Sequence, residues 1–364
     1  MAARGKPLGT MTPRERVRVT LKRGVPDRVP VNYQANPGIE GRLKRHFGLS
    51  DNDGEGLLRH LGVDFRNLDV PYRGPRLHED LPERGVKVDD WGCHTRWIAN
   101  ESGGYWDICD FPLREADEDA VARWPMPDAA DFNYDAIREQ CERHRQYALC
   151  LLCYGDLING NSALRSMEQT LVDLITDEPA GLLLADRRFA IQAEIARRAL
   201  EAAHGRIDVL WLGEDLGTQR TPMISMEIFR KHLRPRYQKL VDIGRKHGAQ
   251  VMIHTCGSSS WAYDDFAEMG IGAVDTLQPE AVDMSPAYLK RRFGDRLAFH
   301  GCISTAGPVA FGTVDDVARD CRQILDVMMP GGGYCFAPTH ALQDNSPTEN
   351  VLAMYETARE FGRY

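Results

Sequence analysis

Val209-Leu210-Trp211-Leu212-Gly213-Glu214-Asp215 is a short apolar run ending on two acids, and Gln250-Val251-Met252-Ile253-His254-Thr255-Cys256-Gly257 is a second, ending on a histidine and a cysteine. Between them, Ser225–Lys246 carries Phe229, Leu233, Leu240 and Ile243 at helical spacing. Strand, helix and next strand is the unit of a parallel sheet, because parallel neighbours need a crossover connection.

The unit repeats outward from there. Towards the carboxyl terminus the expected strands are Ala273–Leu277, Leu297–Gly301 and Gly333–Ala337, with a helix over Thr313–Met329. Towards the amino terminus they are Arg28–Tyr33, Val63–Asp69 and Ala148–Tyr154. After the last of these, Leu164, Met167, Leu171, Leu174 and Ile175 follow helical spacing. Eight strands with crossover helices predict an α/β fold, a single (β/α)8 TIM barrel. The stretch 70–147 breaks the pattern. It holds Trp91, Trp97, Trp106 and Trp124 with hairpin-like alternation, and reads as an excursion between strands two and three. Thr12-Pro13-Arg14-Glu15 predicts a capped first helix, so residues 1–12 are expected as a flexible arm and 13–364 as the barrel.

Composition narrows the classes of function. A net charge of -8 and no basic run interleaved with aromatics argue against a nucleic-acid partner. No stretch of roughly 18 apolar residues occurs, so no transmembrane helix is expected. Met1–Thr12 is polar, with no secretory core, and the nine cysteines are scattered through apolar segments. Both features predict a reducing, cytoplasmic setting in which most cysteines are small buried hydrophobes.

In barrel enzymes the chemistry sits at the carboxyl ends of the strands. Those ends offer Tyr33, Asp69, Tyr154, Glu214, Asp215, His254, Cys256, Gln278, Glu280, Cys302 and His340. His254 and Cys256 are two apart at a strand end, so an imidazole and a thiolate can point the same way and grip one ion. Soft sulfur with imidazole selects zinc over magnesium. A satisfied core histidine is the competing explanation of His254. For the third ligand the order is His340, then Cys335, then Cys302. Glu214 and Asp215 are adjacent, so only one should face the cavity. That one is a candidate to orient or protonate substrate, against a role in capping a helix or pairing with Arg220. Tyr33, Asp69, Tyr154 and Gln278 are candidate substrate contacts.

Three motifs resemble the uroporphyrinogen decarboxylase superfamily: Met11–Val17 with Pro26–Val31, Gly213–Gln219, and Phe336–His340 with Ser346–Val351. The resemblance implies a β/α barrel and two chemical branches. Porphyrinogen decarboxylases of this superfamily carry an arginine-rich signature near the first strand. Val31–Gly38 contains no arginine, and acidic Glu214-Asp215 suits an octa-anionic substrate poorly. The other branch moves methyl groups to or from a corrinoid or thiol with a zinc held by His-x-Cys and a later cysteine. His254 and Cys256 match the pair, His340 takes the cysteine's place, and Glu280 is similar to a glutamate near that metal. Glu214, Asp215 and Glu280 are therefore the catalytic candidates. The expected function is zinc-dependent methyl transfer between a small O-, N- or S-methylated substrate and a corrinoid or thiol. No Asp-x-His-x-x-Gly motif occurs in the chain, so the corrinoid is expected on a separate protein or free. A homodimer is a further expectation from the resemblance. The alternatives are a metal-independent decarboxylase using Asp69 or Asp215 as its acid, and a metal- or corrinoid-binding carrier without turnover.

Overall fold

The computed structural model describes residues 10–100 and 103–364. Its ten strands are β1 (Phe65–Leu68), β2 (Val86–Val88), β3 (His94–Asn100), β4 (Gly103–Ile108), β5 (Ala148–Tyr154), β6 (Val209–Gly213), β7 (Gln250–Thr255), β8 (Ala273–Thr276), β9 (Ala298–Ile303) and β10 (Tyr334–Pro338). Seven of them share one sheet in the order β1-β5-β6-β7-β8-β9-β10. The pairs β6–β7, β8–β9 and β9–β10 are parallel. The fold is therefore α/β, with seven sheet strands where eight were expected.

The eighth, Arg28–Tyr33, forms isolated bridges, Arg28 to Arg363 and Val31 to Phe336, in place of a strand. The cause is local. Pro30 has no N–H to give to a ladder. The Val31 N–H goes to the Asp64 carboxylate at 2.8 Å. Its backbone bonds to β10 are Phe336 N–H to the Pro30 carbonyl at 2.8 Å and Asn32 N–H to the Phe336 carbonyl at 3.0 Å.

Chain contacts divide the molecule into two compact units. One comprises the chain up to Arg66, His144–Cys150 and Gly272–Tyr364; the other comprises Asn67–Arg143 and Leu151–Ile271. The first unit is organised around Asp64, which is fully buried. Arg16 reaches it at 2.6 Å and Arg28 at 2.8 and 2.9 Å, so the buried carboxylate has two cationic partners. Arg16 comes from the helix Pro13–Leu21, which has the capping box expected at Thr12 and Glu15. Met11, placed in the expected arm, gives its N–H to Asp27 at 3.0 Å. Residues 1–9 of that arm lie outside the described residues.

In the second unit, Leu210 and Leu212 of β6 and Val251 and Ile253 of β7 are buried, as are Leu240 and Val241 of the helix Arg234–Lys246. Burying each such side chain contributes roughly 1.5–3 kcal/mol. Gly244 lets this helix lie close, since a Cβ there would stand 2.9 Å from Val251 and 3.2 Å from Leu210. The helix expected over Ser225–Lys246 is interrupted by a wide π turn at Phe229–Leu233. The helical spacing from Leu164 to Ile175 spans two helices, Ile158–Arg165 and Met167–Thr176. They are separated at Ser166, whose φ is 72° and whose hydroxyl caps the second by accepting the Gln169 N–H. Polar capping overrides the apolar period there.

The excursion 70–147 contains an antiparallel sheet, β2-β3-β4. Trp97 pairs with Trp106 across β3 and β4, with ring centroids 5.7 Å apart. Trp91 and Trp124 pack instead against a small core of Cys93, Leu113, Val121, Leu164 and Leu184. Seven of the nine cysteines are buried and all nine are free thiols. No helix among the described residues is long and apolar enough to cross a membrane.

Candidate metal centre

The β6–β7 register builds the site. Gly213 is paired with His254, and the next residue, Glu214, donates its N–H to the His254 carbonyl at 3.0 Å. The acids that follow β6 are thereby set beside the His-x-Cys of β7. Gly217 and Gly257 make the approach of the two loops possible. At φ 70°, a Cβ on Gly257 would stand 2.1 Å from the Gly217 carbonyl oxygen. The Thr255 hydroxyl accepts the Leu216 N–H at 3.1 Å, and the Thr218 carbonyl accepts the Ser258 N–H at 2.8 Å.

His254 and Cys256 point the same way, as their spacing predicts. Cys256 Sγ is 3.4 Å from His254 Nε2. Asp215 completes a group of three: its Oδ1 is 3.9 Å from His254 Nε2, and one ligand atom of each residue lies within 4.8 Å of the others. All three are half-buried. Asp215 is held by the Cys256 backbone N–H at 2.9 Å and by the Asn159 amide at 3.2 Å. Trp211 stands against the His254 ring, with centroids 5.2 Å apart. Burial raises the Cys256 thiol, and His254 works against that shift. A cation between the three would favour the thiolate.

Glu214 and Asp215 diverge, as adjacent residues must. Glu214 is fully buried. Its carboxyl accepts the backbone N–H groups of Leu157, Ile158 and Asn159 at 2.7, 3.0 and 3.1 Å, and the Tyr237 hydroxyl at 2.7 Å. It therefore caps the helix Ile158–Arg165, where an acid also meets the helix dipole. Burial, followed by the nearby Asp156, pushes its pKa up to about 8, against those donated hydrogen bonds.

The remaining predicted residues belong to both units. Asp69 belongs to the second unit; it is exposed, and its backbone is clamped at both N–H and C=O by the Gln140 amide at 3.0 and 2.8 Å. Tyr154 ends β5, and its side chain lies outside the described residues. Tyr33, Gln278, Glu280 and His340 all belong to the first unit. Tyr33 lies 6.1 Å from Tyr355, and its hydroxyl is buried with no hydrogen-bond partner. Gln278 uses its backbone carbonyl to accept the Ala281 N–H. Glu280 accepts the Ser304 hydroxyl. His340 is exposed directly after β10. Cys302 and Cys335 are fully buried, and burial raises both thiols. Sequence reasoning missed Asn159 and Trp211, which touch Asp215 and His254. Trp211 sits at an ordinary apolar position of β6, and Asn159 carries no motif.

A parallel α/β sheet with a nitrogen, sulfur and carboxylate donor set at the carboxyl ends of two adjacent strands defines a candidate metalloenzyme. Residues 199–361 match the family model of uroporphyrinogen decarboxylase (URO-D), which bears out the resemblance over the stretch that contains two of its three motifs. No curated protein matches the chain. Among solved structures, a methyltransferase from Methanosarcina mazei superposes with a TM-score of 0.65 at 20% identity, covering 96% of this chain and 99% of that one. The fold is thus shared with that protein along nearly its whole length. The native xylanase 10B from Thermotoga maritima is more remote, with a TM-score of 0.41 at 13% identity over 64% of this chain and 82% of that one.

Proposed function

We propose that the chain is a zinc-dependent methyltransferase. It would move a methyl group between a small O-, N- or S-methylated substrate and a corrinoid or thiol. The observation that carries this reading is the convergence of Asp215, His254 and Cys256 ligand atoms within 4.8 Å of one another. The donor set fits zinc: one thiol, one imidazole nitrogen and one carboxylate, with a fourth place left for substrate. The fold shared with the Methanosarcina mazei methyltransferase supports the reaction class.

Bound zinc would supply Lewis acidity, making a methylated heteroatom a better leaving group or an acceptor thiol a better nucleophile. This chain's own residues prepare the place. Asp215 fixes the Cys256 backbone and contributes charge, so loss of the Cys256 proton is favoured once a cation is present. Asn159 restrains the other Asp215 oxygen, and Trp211 limits rotation of the His254 ring. Asp215 takes the third place, for which the sequence put His340 first, and His340→Ala tests that choice. The corrinoid would come on a separate protein or free, and the location would be cytoplasmic.

The test is zinc stoichiometry on purified protein beside His254→Ala, Cys256→Ala, Asp215→Ala and His340→Ala, followed by methyl transfer to cob(I)alamin. About one zinc per wild-type chain, lost in the first two variants, is the expected result. Wild-type protein free of metal after reconstitution would instead favour a metal-independent decarboxylase with Asp69 or Asp215 as its acid.

A further inference from the structure

A cavity of about 310 Å³ lies in the second unit between β5, the helix Pro179–Ala203 and Trp91. It contains none of the three metal-site residues. Its walls are chiefly apolar, with Leu68, Trp91, Phe132 and Ile195 among them. Its polar groups are few. Asp69 and Asn67 stand where it meets solvent, and Gln192 stands within.

Gln192 is the informative residue. Its side-chain Oε1 is buried and has no hydrogen-bond partner. A buried carbonyl oxygen without a donor costs about 1–3 kcal/mol. An arriving N–H or O–H would recover that.

Charge narrows the class of ligand. Asp69 on the wall disfavours an anion. Arg188 disfavours a cation, because its guanidinium is 5.6 Å from the centroid of the Trp91 ring and 3.8 Å from Asp156. The cavity volume falls within the range of small-molecule sites, and Trp91 and Phe132 offer ring surfaces to a flat ligand.

We propose that this cavity binds an uncharged aromatic molecule bearing one hydroxyl or N–H donor, directed at Gln192 Oε1. The site stands apart from the metal reading and does not depend on it.

The test uses 2-naphthol as probe, titrated by calorimetry into the full-length protein, with 2-naphthoate as the anionic comparison. Saturable one-to-one binding of 2-naphthol is expected, with 2-naphthoate much weaker. Gln192→Leu should weaken binding by on the order of 10-fold, the value of one hydrogen bond to a buried acceptor. Ile195→Trp, which fills the cavity, should abolish it, with each variant's fold checked by thermal melting. The result should be the same with zinc present or chelated, so failure of the metal reading would leave it untouched. A crystal structure of the probe complex locates the ligand even where a variant fails to fold. Absence of saturable binding, equal binding of 2-naphthoate, or probe density outside the cavity would overturn the proposal.

Discussion

Asp215 accepts the backbone N–H of Cys256 at 2.9 Å with the same oxygen that lies 3.9 Å from His254 Nε2. One carboxylate therefore both shapes the β7 loop and adds charge to the candidate metal centre. Substitution separates the two tasks. Asp215→Asn keeps an oxygen for the Cys256 N–H and loses the charge, whereas Asp215→Ala loses both. Zinc affinity should fall by at least about 10-fold in the first and at least about 100-fold in the second, since losing a ligand costs no less than losing a group that supports one. Competition against a chromophoric chelator reads both, and wild-type affinity in both would remove Asp215 from the site.

Glu214 yields a prediction about pH. Its pKa is raised in the folded chain to about 8, from an ordinary value of 4.5. A raised carboxyl holds its proton in the folded state where the unfolded chain has lost it. Its contribution is therefore complete below about pH 4.5 and is lost as the pH rises through about 8. Glu214→Gln cannot ionise, and its NH2 group faces donors from Leu157, Ile158, Asn159 and Tyr237. At pH 5 the variant should be less stable by about 1–3 kcal/mol, and the gap should narrow by pH 8.5. Urea unfolding of both proteins at the two pH values measures this; a gap that widens with pH would show that the donated hydrogen bonds outweigh burial.

The legibility of the chain varied for physical reasons. β5, β6 and the position of β7 could be read from residues alone, because buried parallel strands are short apolar runs and alternate with amphipathic helices. Arg28–Tyr33 could not, since its fate depends on where the Val31 N–H goes, and that is decided by Asp64, 33 residues away. The His254–Cys256 pair was legible because two residues on one strand need only the period of the strand. Asp215 was noticed as an acid, but its place beside that pair follows from the β6–β7 register, which apolar patterning does not specify. Gln192 is invisible in the sequence, as an unpartnered oxygen is a property of packing.

Asp64 gives the largest expected effect on stability. It is fully buried between Arg16 and Arg28 and also takes the Val31 N–H. Asp64→Ala leaves two guanidinium groups facing a cavity, one of them buried with its helix. Breaking a buried pair from one side costs about 3–5 kcal/mol. Because Asp64 belongs to the first unit, zinc binding at Asp215, His254 and Cys256 should persist in whatever fraction folds. Urea unfolding and zinc content, measured on the same preparation, check both statements; a loss below about 1 kcal/mol would mean the arginines find other partners.

Gly257 tests the loop that carries Cys256. Its φ of 70° is favourable only for glycine among most residues, and a Cβ would stand 2.1 Å from the Gly217 carbonyl and 2.6 Å from the Thr218 carbonyl. Both obstacles are backbone, so neither can swing aside. Gly257→Ala must push the β6 and β7 loops apart, and the Ser258 N–H to Thr218 hydrogen bond goes with them. Strain of this kind costs about 1–3 kcal/mol. The displacement should also separate Cys256 from Asp215, so zinc affinity should fall although no ligand has changed. Gly244→Ala serves as the comparison: its Cβ would press on the side chains of Val251 and Leu210, away from the three donors. It should lower stability and leave zinc affinity near the wild-type value. Equal zinc affinity in Gly257→Ala and wild type would mean that the two loops are not what holds the donors together.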